Sequence, residues 1–396
     1  MRTKTIYLDY AAATPLRPEV LQVMRPFERA EFANPGSITA AGVRARTAVE
    51  AARREIAHVL GVRNDEIIFT GSGTESANLA LRGIMEATTN RKRSGHIITT
   101  TIEHEAVLAP ARDLQERGFR LTVVSVESDG RVDSAKLIQA ITPQTRLISV
   151  ILANNEIGTI QDIYELARQV RRVNKQRQTR GEGQIYFHTD ACQAAGYVDI
   201  RPDALGVDAL TLNAAKIGGP KGIGLLYLRR GTPMRSQILG GGQESGRRSG
   251  TENVAAIVGF ATALTRAVAE RDTEVVRVTR LRDRLLQDLV KAVPDIRLNG
   301  AQEYRLPNNL NVTIPGIEAE PLLLYLDQAG VVIGTGAACS AITLEPSHVL
   351  LALGLSRAEA LQTIRITLGR ETTPTEIRRA SSIIQERITW LRQHID

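Results

Sequence analysis

Two periodicities take turns along this 396-residue chain. After an extended arm, residues 1–15, apolar positions recur every three to four residues over 18–30 and 41–60. That spacing predicts two helices around a loop at 33–37, the second helix closed by Gly61. From residue 66 onward, short apolar β-prone runs alternate with helical stretches. Strands are predicted over 66–70, 96–100, 119–126 and 146–153, and helices over 74–86, 104–118, 135–141 and 163–173. Two further β-prone runs follow: one ends in Asp190, and the other, 209–212, leads into Lys216 and a glycine-rich turn. Residues 253–293 read as one long, arginine-rich helical stretch. Mixed structure then returns, with strands at 310–314, 331–333 and 364–368, helices at 320–329 and 375–393, and a loop around Cys339. Strands alternating with helices imply an α/β fold with a mostly parallel sheet flanked by helices. The expected division is an arm over 1–15 packing with the smaller domain, a large domain over 16–258, and a smaller α/β C-terminal domain over 259–396 that carries the Cys339 loop.

Composition narrows the class. The length suggests two cores rather than one, and 43% hydrophobic with 23% charged residues is ordinary for a globular protein. The formal charge of +7 is dispersed among acids, its densest cluster being Arg91-Lys92-Arg93, and aromatics are only 4%. A nucleic-acid interface is therefore not expected, although the mild positive field suits an acidic protein partner. No apolar run reaches the ~20 residues of a membrane span, and the first residues lack the apolar core of a signal peptide. With two cysteines in the whole chain, a reducing cytoplasm is the expected compartment.

In sheets of this kind ligands bind beyond the carboxyl ends of the strands. Those ends carry Gly71-Ser72-Gly73-Thr74, His104, Asn154-Asn155-Glu156, Asp190 and Lys216. A lysine and a carboxylate at successive strand ends suit an aldehyde cofactor with a basic ring nitrogen: the lysine forms a Schiff base and the carboxylate keeps the ring nitrogen protonated. A solvated lysine before a Gly-Gly-Pro turn is the competing reading of Lys216. The run at 71–74 reads as a phosphate cradle at a helix start, or simply as a capped helix. His104 is placed to stack on a ring and carry protons, and Asn155 and Gln193 offer amides to a phenolic oxygen. Cys339 sits among small residues, so a mobile loop with a travelling thiol nucleophile competes with a small buried cysteine. Arg365 or Arg370 would fork onto a substrate carboxylate, unless both are merely solvated. His188, Asp190 and Cys192 alternate on one strand, but no second His/Cys cluster completes a metal site. No metal is expected, and Cys192 reads as a small buried neighbour of Asp190.

The ordered motifs Tyr7-Leu8-Asp9-Tyr10-Ala11-Ala12, Asn34-Pro35, Gly73-Thr74-Glu75-Ser76, Glu103-His104, Asn154-Asn155-Glu156-Ile157-Gly158, His188-Thr189-Asp190, Lys216-Ile217-Gly218-Gly219-Pro220-Lys221-Gly222, Gly240-Gly241-Gly242-Gln243-Glu244, Arg248-Ser249-Gly250-Thr251-Glu252-Asn253 and Cys339 with Leu344-Glu345-Pro346-Ser347 span nearly the whole chain. In them the chain resembles the cysteine desulfurases of the IscS/NifS type, pyridoxal-phosphate enzymes of fold type I. The resemblance implies conversion of L-cysteine to L-alanine, with a persulfide formed on Cys339 and passed to an acceptor in iron–sulfur cluster or thio-cofactor and tRNA biosynthesis. It implies that Lys216 carries the pyridoxal 5'-phosphate, that Asp190 pairs with the ring nitrogen, and that His104 stacks and relays protons. Gly73, Thr74 and Asn213 would lie at the phosphate, Asn155 and Gln193 at the ring oxygen, and Asn34, Asn155 and Arg365 at the substrate carboxylate. Thr251 would cross the interface of a homodimer to the partner's phosphate. Departures from the family pattern are Asn213 for a Ser or Thr, Ala215 for a His, Thr39 for a His, and Cys192 for a Thr or another small residue. Losing a hydroxyl and an imidazole at a phosphate costs on the order of a few kcal/mol, unless Asn213 or a shifted neighbour substitutes. A selenocysteine lyase or cysteine sulfinate desulfinase-like enzyme, or a weakly active homologue acting as a partner-binding scaffold, are the alternatives.

Overall fold

The computed structural model describes residues 5–89, 95–335 and 345–394. Its strands are β1 (Ile6–Tyr7), β2 (Ile67–Thr70), β3 (His96–Thr100), β4 (Arg120–Val124), β5 (Thr145–Ser149), β6 (Tyr186–Asp190), β7 (Ala209–Asn213), β8 (Gly224–Leu228), β9 (Arg297–Leu298), β10 (Asn309–Thr313), β11 (Val331–Val332), β12 (Gly334–Thr335) and β13 (Thr363–Thr367). Seven of them form a sheet in the order β2-β8-β7-β6-β5-β3-β4. The run from β7 to β4 is parallel. β8, which the periodicity did not single out, is antiparallel to both its neighbours.

The sheet is apolar on both faces because both faces are covered. Adjacent residues on a strand point to opposite sides, so Ile98, Ile148, Leu210 and Leu225 enter one core and Ile97, Leu147, Ala209 and Leu226 the other. Helices Ala40–Leu60 and Ile163–Thr179 and the first half of Val254–Ala292 cover the first face; Gly73–Thr88 and Glu105–Glu116 cover the second. Each fully buried Ile or Leu contributes about 1.5–3 kcal/mol relative to exposure.

Three boundaries differ from expectation for identifiable reasons. The helix expected to end at 173 runs to Thr179, because its polar last turns have buried partners. Asn174 donates to the Ile185 carbonyl and accepts from its N–H, and Arg177 donates to the carbonyls of Gly183, Thr142, Pro143 and Thr145. These bonds anchor the start of β6, whose far end is Asp190. Lys216 does not end a strand: β7 stops at Asn213, and one 3-10 turn, Ala214–Lys216, intervenes. Finally, the Val254–Ala292 helix passes through Gly259 unbroken, its buried side changing core between Ala267 and Val278.

The second core lies on an antiparallel sheet of order β12-β13-β10-β9. It is covered by helices Ala319–Gln328 and Pro374–His394 and the second half of Val254–Ala292. The N-terminal arm joins this side, with β1 parallel to β11 and Asp9 bridged to Thr367. Among the described residues, no helix is long and apolar enough to cross a membrane.

Candidate active site at the strand ends

Each strand-end group is oriented by its own nearby backbone. Ser72 caps the Gly73–Thr88 helix, its hydroxyl accepting from Glu75 N–H at 3.1 Å. The cap uses that hydroxyl and leaves the helix start, Gly73 and Thr74, to line a cavity of about 290 Å3. A Cβ at 73 would lie 2.9 Å from Cys192 Sγ and 3.2 Å from Asn213 Cβ, so a larger residue there would push both side chains aside. β8 reaches this corner through Gly224, where a Cβ would lie 2.3 Å from the backbone of Ser72.

Asp190, 6% exposed, accepts from Cys192 N–H at 2.9 Å. His104 is itself an N-cap: Nδ1 accepts from Ala106 N–H at 3.0 Å, which assigns the ring proton of the neutral form to Nε2. Asn213 Oδ1 accepts from Ala215 N–H at 3.1 Å. Lys216 Nζ donates to the carbonyls of Ala11 at 2.7 Å and Ala12 at 2.6 Å, and Gln193 Nε2 donates to the same Ala11 carbonyl at 2.9 Å. Thus the arm passes directly over the lysine.

The opposite wall comes from β13. Arg365, 1% exposed, donates to Asp9 Oδ1 at 2.7 Å and to the Asn155 carbonyl at 3.3 Å. Of the two arginines considered from sequence, only Arg365 lines the cavity; Arg370 is half exposed beside Glu19 and Glu270.

The structure therefore brings Gly73, Thr74, His104, Asn155, Asp190, Gln193, Asn213, Lys216 and Arg365 to one cavity, with Cys192 on the same wall. It does not bring Asn34 or Thr251 there within one protomer. Asn34 is exposed and its Oδ1 accepts from Gly36 N–H in a turn; Thr251 is exposed beside a separate hollow with Thr70, Gly71 and Asn253. Cys339 lies outside the described residues.

Buried ionisable groups support this cavity from beneath. His188 sits between the hydroxyls of Ser149 and Thr211, at 2.8 and 2.9 Å, and burial lowers its pKa to about 4, so it is neutral. Burial pushes the Cys192 thiol up, keeping it protonated and unreactive. Glu103 is fully buried; Oε1 accepts from Thr100 Oγ1 and Ile151 N–H, and burial raises its pKa to about 8. Glu156, raised by burial to about 7, accepts from the Ser347 hydroxyl. Among the described residues, no group of three His, Cys, Asp or Glu is placed to hold a metal ion.

Reasoning from sequence missed Asp9, Ala11, Ala12 and Glu103 as neighbours of this chemistry, and gave Glu156 no role beyond its place at a strand end. The available signals were local: three successive alanines after Tyr10 allow a backbone to approach closely, and Glu103 flanks His104, already singled out.

Comparison with known proteins agrees with this geometry. Residues 6–379 match the family model described as aminotransferase class-V. The chain is 45% identical over 389 residues to the cysteine desulfurase IscS of Dictyoglomus turgidum, covering 98% of this chain and 96% of that protein. It superposes on a solved NifS-like protein with a TM-score of 0.90 at 36% identity, covering 98% and 100% of the two chains. A structure titled SspA in complex with cysteine matches with a TM-score of 0.79 at 34% identity, covering 92% and 99%. With a near-complete family match, a shared fold and a lysine–aspartate cavity on the strand edge, the chain belongs to the class-V aminotransferase family.

Proposed function

We propose that this protein is a pyridoxal-phosphate-dependent cysteine desulfurase that converts L-cysteine to L-alanine and receives the sulfur on Cys339. The observation that carries this reading is the convergence of Lys216, Asp190, His104 and Arg365 on one cavity. Its donor set fits the cofactor: an amine for the aldehyde, a buried carboxylate for the ring nitrogen, and a helix start with Asn213 for the phosphate. Bound there, pyridoxal phosphate supplies the electron sink for breaking bonds at Cα and Cβ of an amino acid.

The chain's own residues do the rest. Arg365, with Asn155, orients the substrate carboxylate. Gln193 and Asn155 donate to the ring oxygen, while Asp190 holds a proton at the ring nitrogen. His104 Nε2 and the Lys216 amine move protons at Cα. The Cys339 thiolate attacks the substrate sulfur: an S–S bond forms, the Cβ–S bond breaks, and a proton at Cβ completes alanine, leaving a persulfide. Relatives named cysteine desulfurase support this reading, as does the solved relative titled as a complex with cysteine. The persulfide then passes to an acceptor protein in iron–sulfur cluster or thiolation chemistry. The working form is a cytoplasmic homodimer in which Thr251 reaches the partner's phosphate, and its two domains divide within the Val254–Ala292 helix, between Ala267 and Val278.

The test is alanine release from L-cysteine by the cofactor-loaded protein. Lys216→Ala is expected to abolish both alanine release and the visible absorption of lysine-bound cofactor. Cys339→Ser is expected to abolish alanine release while keeping that absorption; unchanged release in Cys339→Ser would sink the persulfide role.

A further inference from the structure

Among the described residues, Arg365 is the arginine that lines the cavity, and it is already paired. Arg365 is 1% exposed and forms an ion pair with Asp9 at 2.7 Å; its Nη1 reaches the Asn155 carbonyl, and its Nε is buried without a partner. The pair joins residues 356 positions apart, and the arm is clamped around it: Asp9 bridges Thr367, and its carbonyl accepts from the Tyr7 hydroxyl. β12 closes the other side. Its Gly334 is opposite Arg365 in register, and a Cβ there would lie 2.8 Å from Arg365 Nη2 and 2.9 Å from Asp9 Oδ1.

We infer that Asp9 is a positioning residue that attenuates carboxylate binding: it holds the Arg365 guanidinium in one orientation and competes with the substrate carboxylate for its charge. This rests on the reading of Arg365 as the carboxylate-binding group. A carboxylate entering the cavity meets a guanidinium whose charge is half-spent on a neighbouring anion. Two carboxylates on one arginine repel across a site shielded from water, which weakens the incoming one. The consequence is a loose grip on the substrate and product carboxylate, paired with a fixed geometry. An enzyme that must release alanine in every cycle gains turnover from that combination.

The test is titration calorimetry of the cofactor-loaded enzyme with L-alanine and L-alaninamide, which differ only in the carboxylate. Asp9→Asn keeps an oxygen acceptor for Arg365 and removes the charge. It is expected to tighten L-alanine about three- to tenfold, to leave L-alaninamide unchanged, and to lower KM for L-cysteine by a similar factor. Asp9→Glu, which keeps the charge, is expected to show no tightening. The uncompensated charge of Arg365 in Asp9→Asn also makes saturating L-alanine raise the melting temperature more than in the parent. That second readout stands even where the variant is less stable. If the parent prefers L-alanine over its amide but Asp9→Asn leaves that preference unchanged or weaker, the attenuation is overturned. Equal tightening by Asp9→Glu overturns it too. If the parent binds acid and amide equally, the reading of Arg365 itself falls, and this inference with it.

Discussion

The two walls of the cavity are built in opposite ways. On the large-sheet wall, Ser72, His104, Asp190 and Asn213 each accept a backbone N–H from two or three residues further along the chain. On the other wall, Arg365 is held by Asp9 and Asn155, 356 and 210 positions away in sequence. The first wall is a set of independent caps, each completed as its own strand end forms. The second exists only after the arm, β5, β12 and β13 have come together. His104 and Asp190, proposed for proton and cofactor chemistry, sit on the local wall, whereas Lys216 is held by the distant carbonyls of Ala11 and Ala12. Arg365, proposed to bind and release the substrate carboxylate, sits where segments distant in sequence meet.

Four substitutions sharpen or break that contrast. Gly224→Ala attacks the local wall from outside, pushing β8 off the backbone of Ser72. It is expected to cost about 4 kcal/mol in urea unfolding; a loss below 1 kcal/mol would mean the helix start is not pinned by β8.

Glu103 gives the next effect. Its folded pKa of about 8 lies above the 4.5 of a free glutamate, so between those values the unfolded chain releases a proton that the folded one keeps. Stability is therefore lost as pH rises through that window. Glu103→Gln removes this loss, and the variant is expected to gain roughly 3 kcal/mol on the parent between pH 5 and pH 9. Parallel stability curves across that range would show that burial does not hold Glu103 protonated.

Gly334→Ala tests the long-range wall, since its methyl group crowds the Asp9–Arg365 pair. KM for L-cysteine is expected to rise about tenfold, or ~1.4 kcal/mol, with global stability nearly unchanged. A stability loss without a KM change would place Gly334 in folding rather than binding. Ser72→Ala makes the smallest and opposite change: about 1 kcal/mol of stability from a lost cap, measured by chemical denaturation, with L-alanine affinity preserved.

The sequence by itself determined the alternation of strands and helices, the parallel sheet, and the collection of Lys216, Asp190, His104 and Gly73 on its carboxyl edge. Those features rest on periodicities of 2 and 3.6 and on caps that close within a few residues, so they are written in short stretches of chain. Where polar residues continued an element, as at Asn174 and Arg177, the pattern stopped early because their partners were distant carbonyls. The family resemblance had already favoured Arg365 over Arg370; only tertiary packing placed Ala11 and Ala12 over Lys216, set Asp9 against Arg365, and put Glu103 out of reach of water. A charge or a carbonyl carries no periodicity, and its role depends on which distant segment is packed against it. That choice is made by the burial of the two cores, not by any residue's neighbours in sequence.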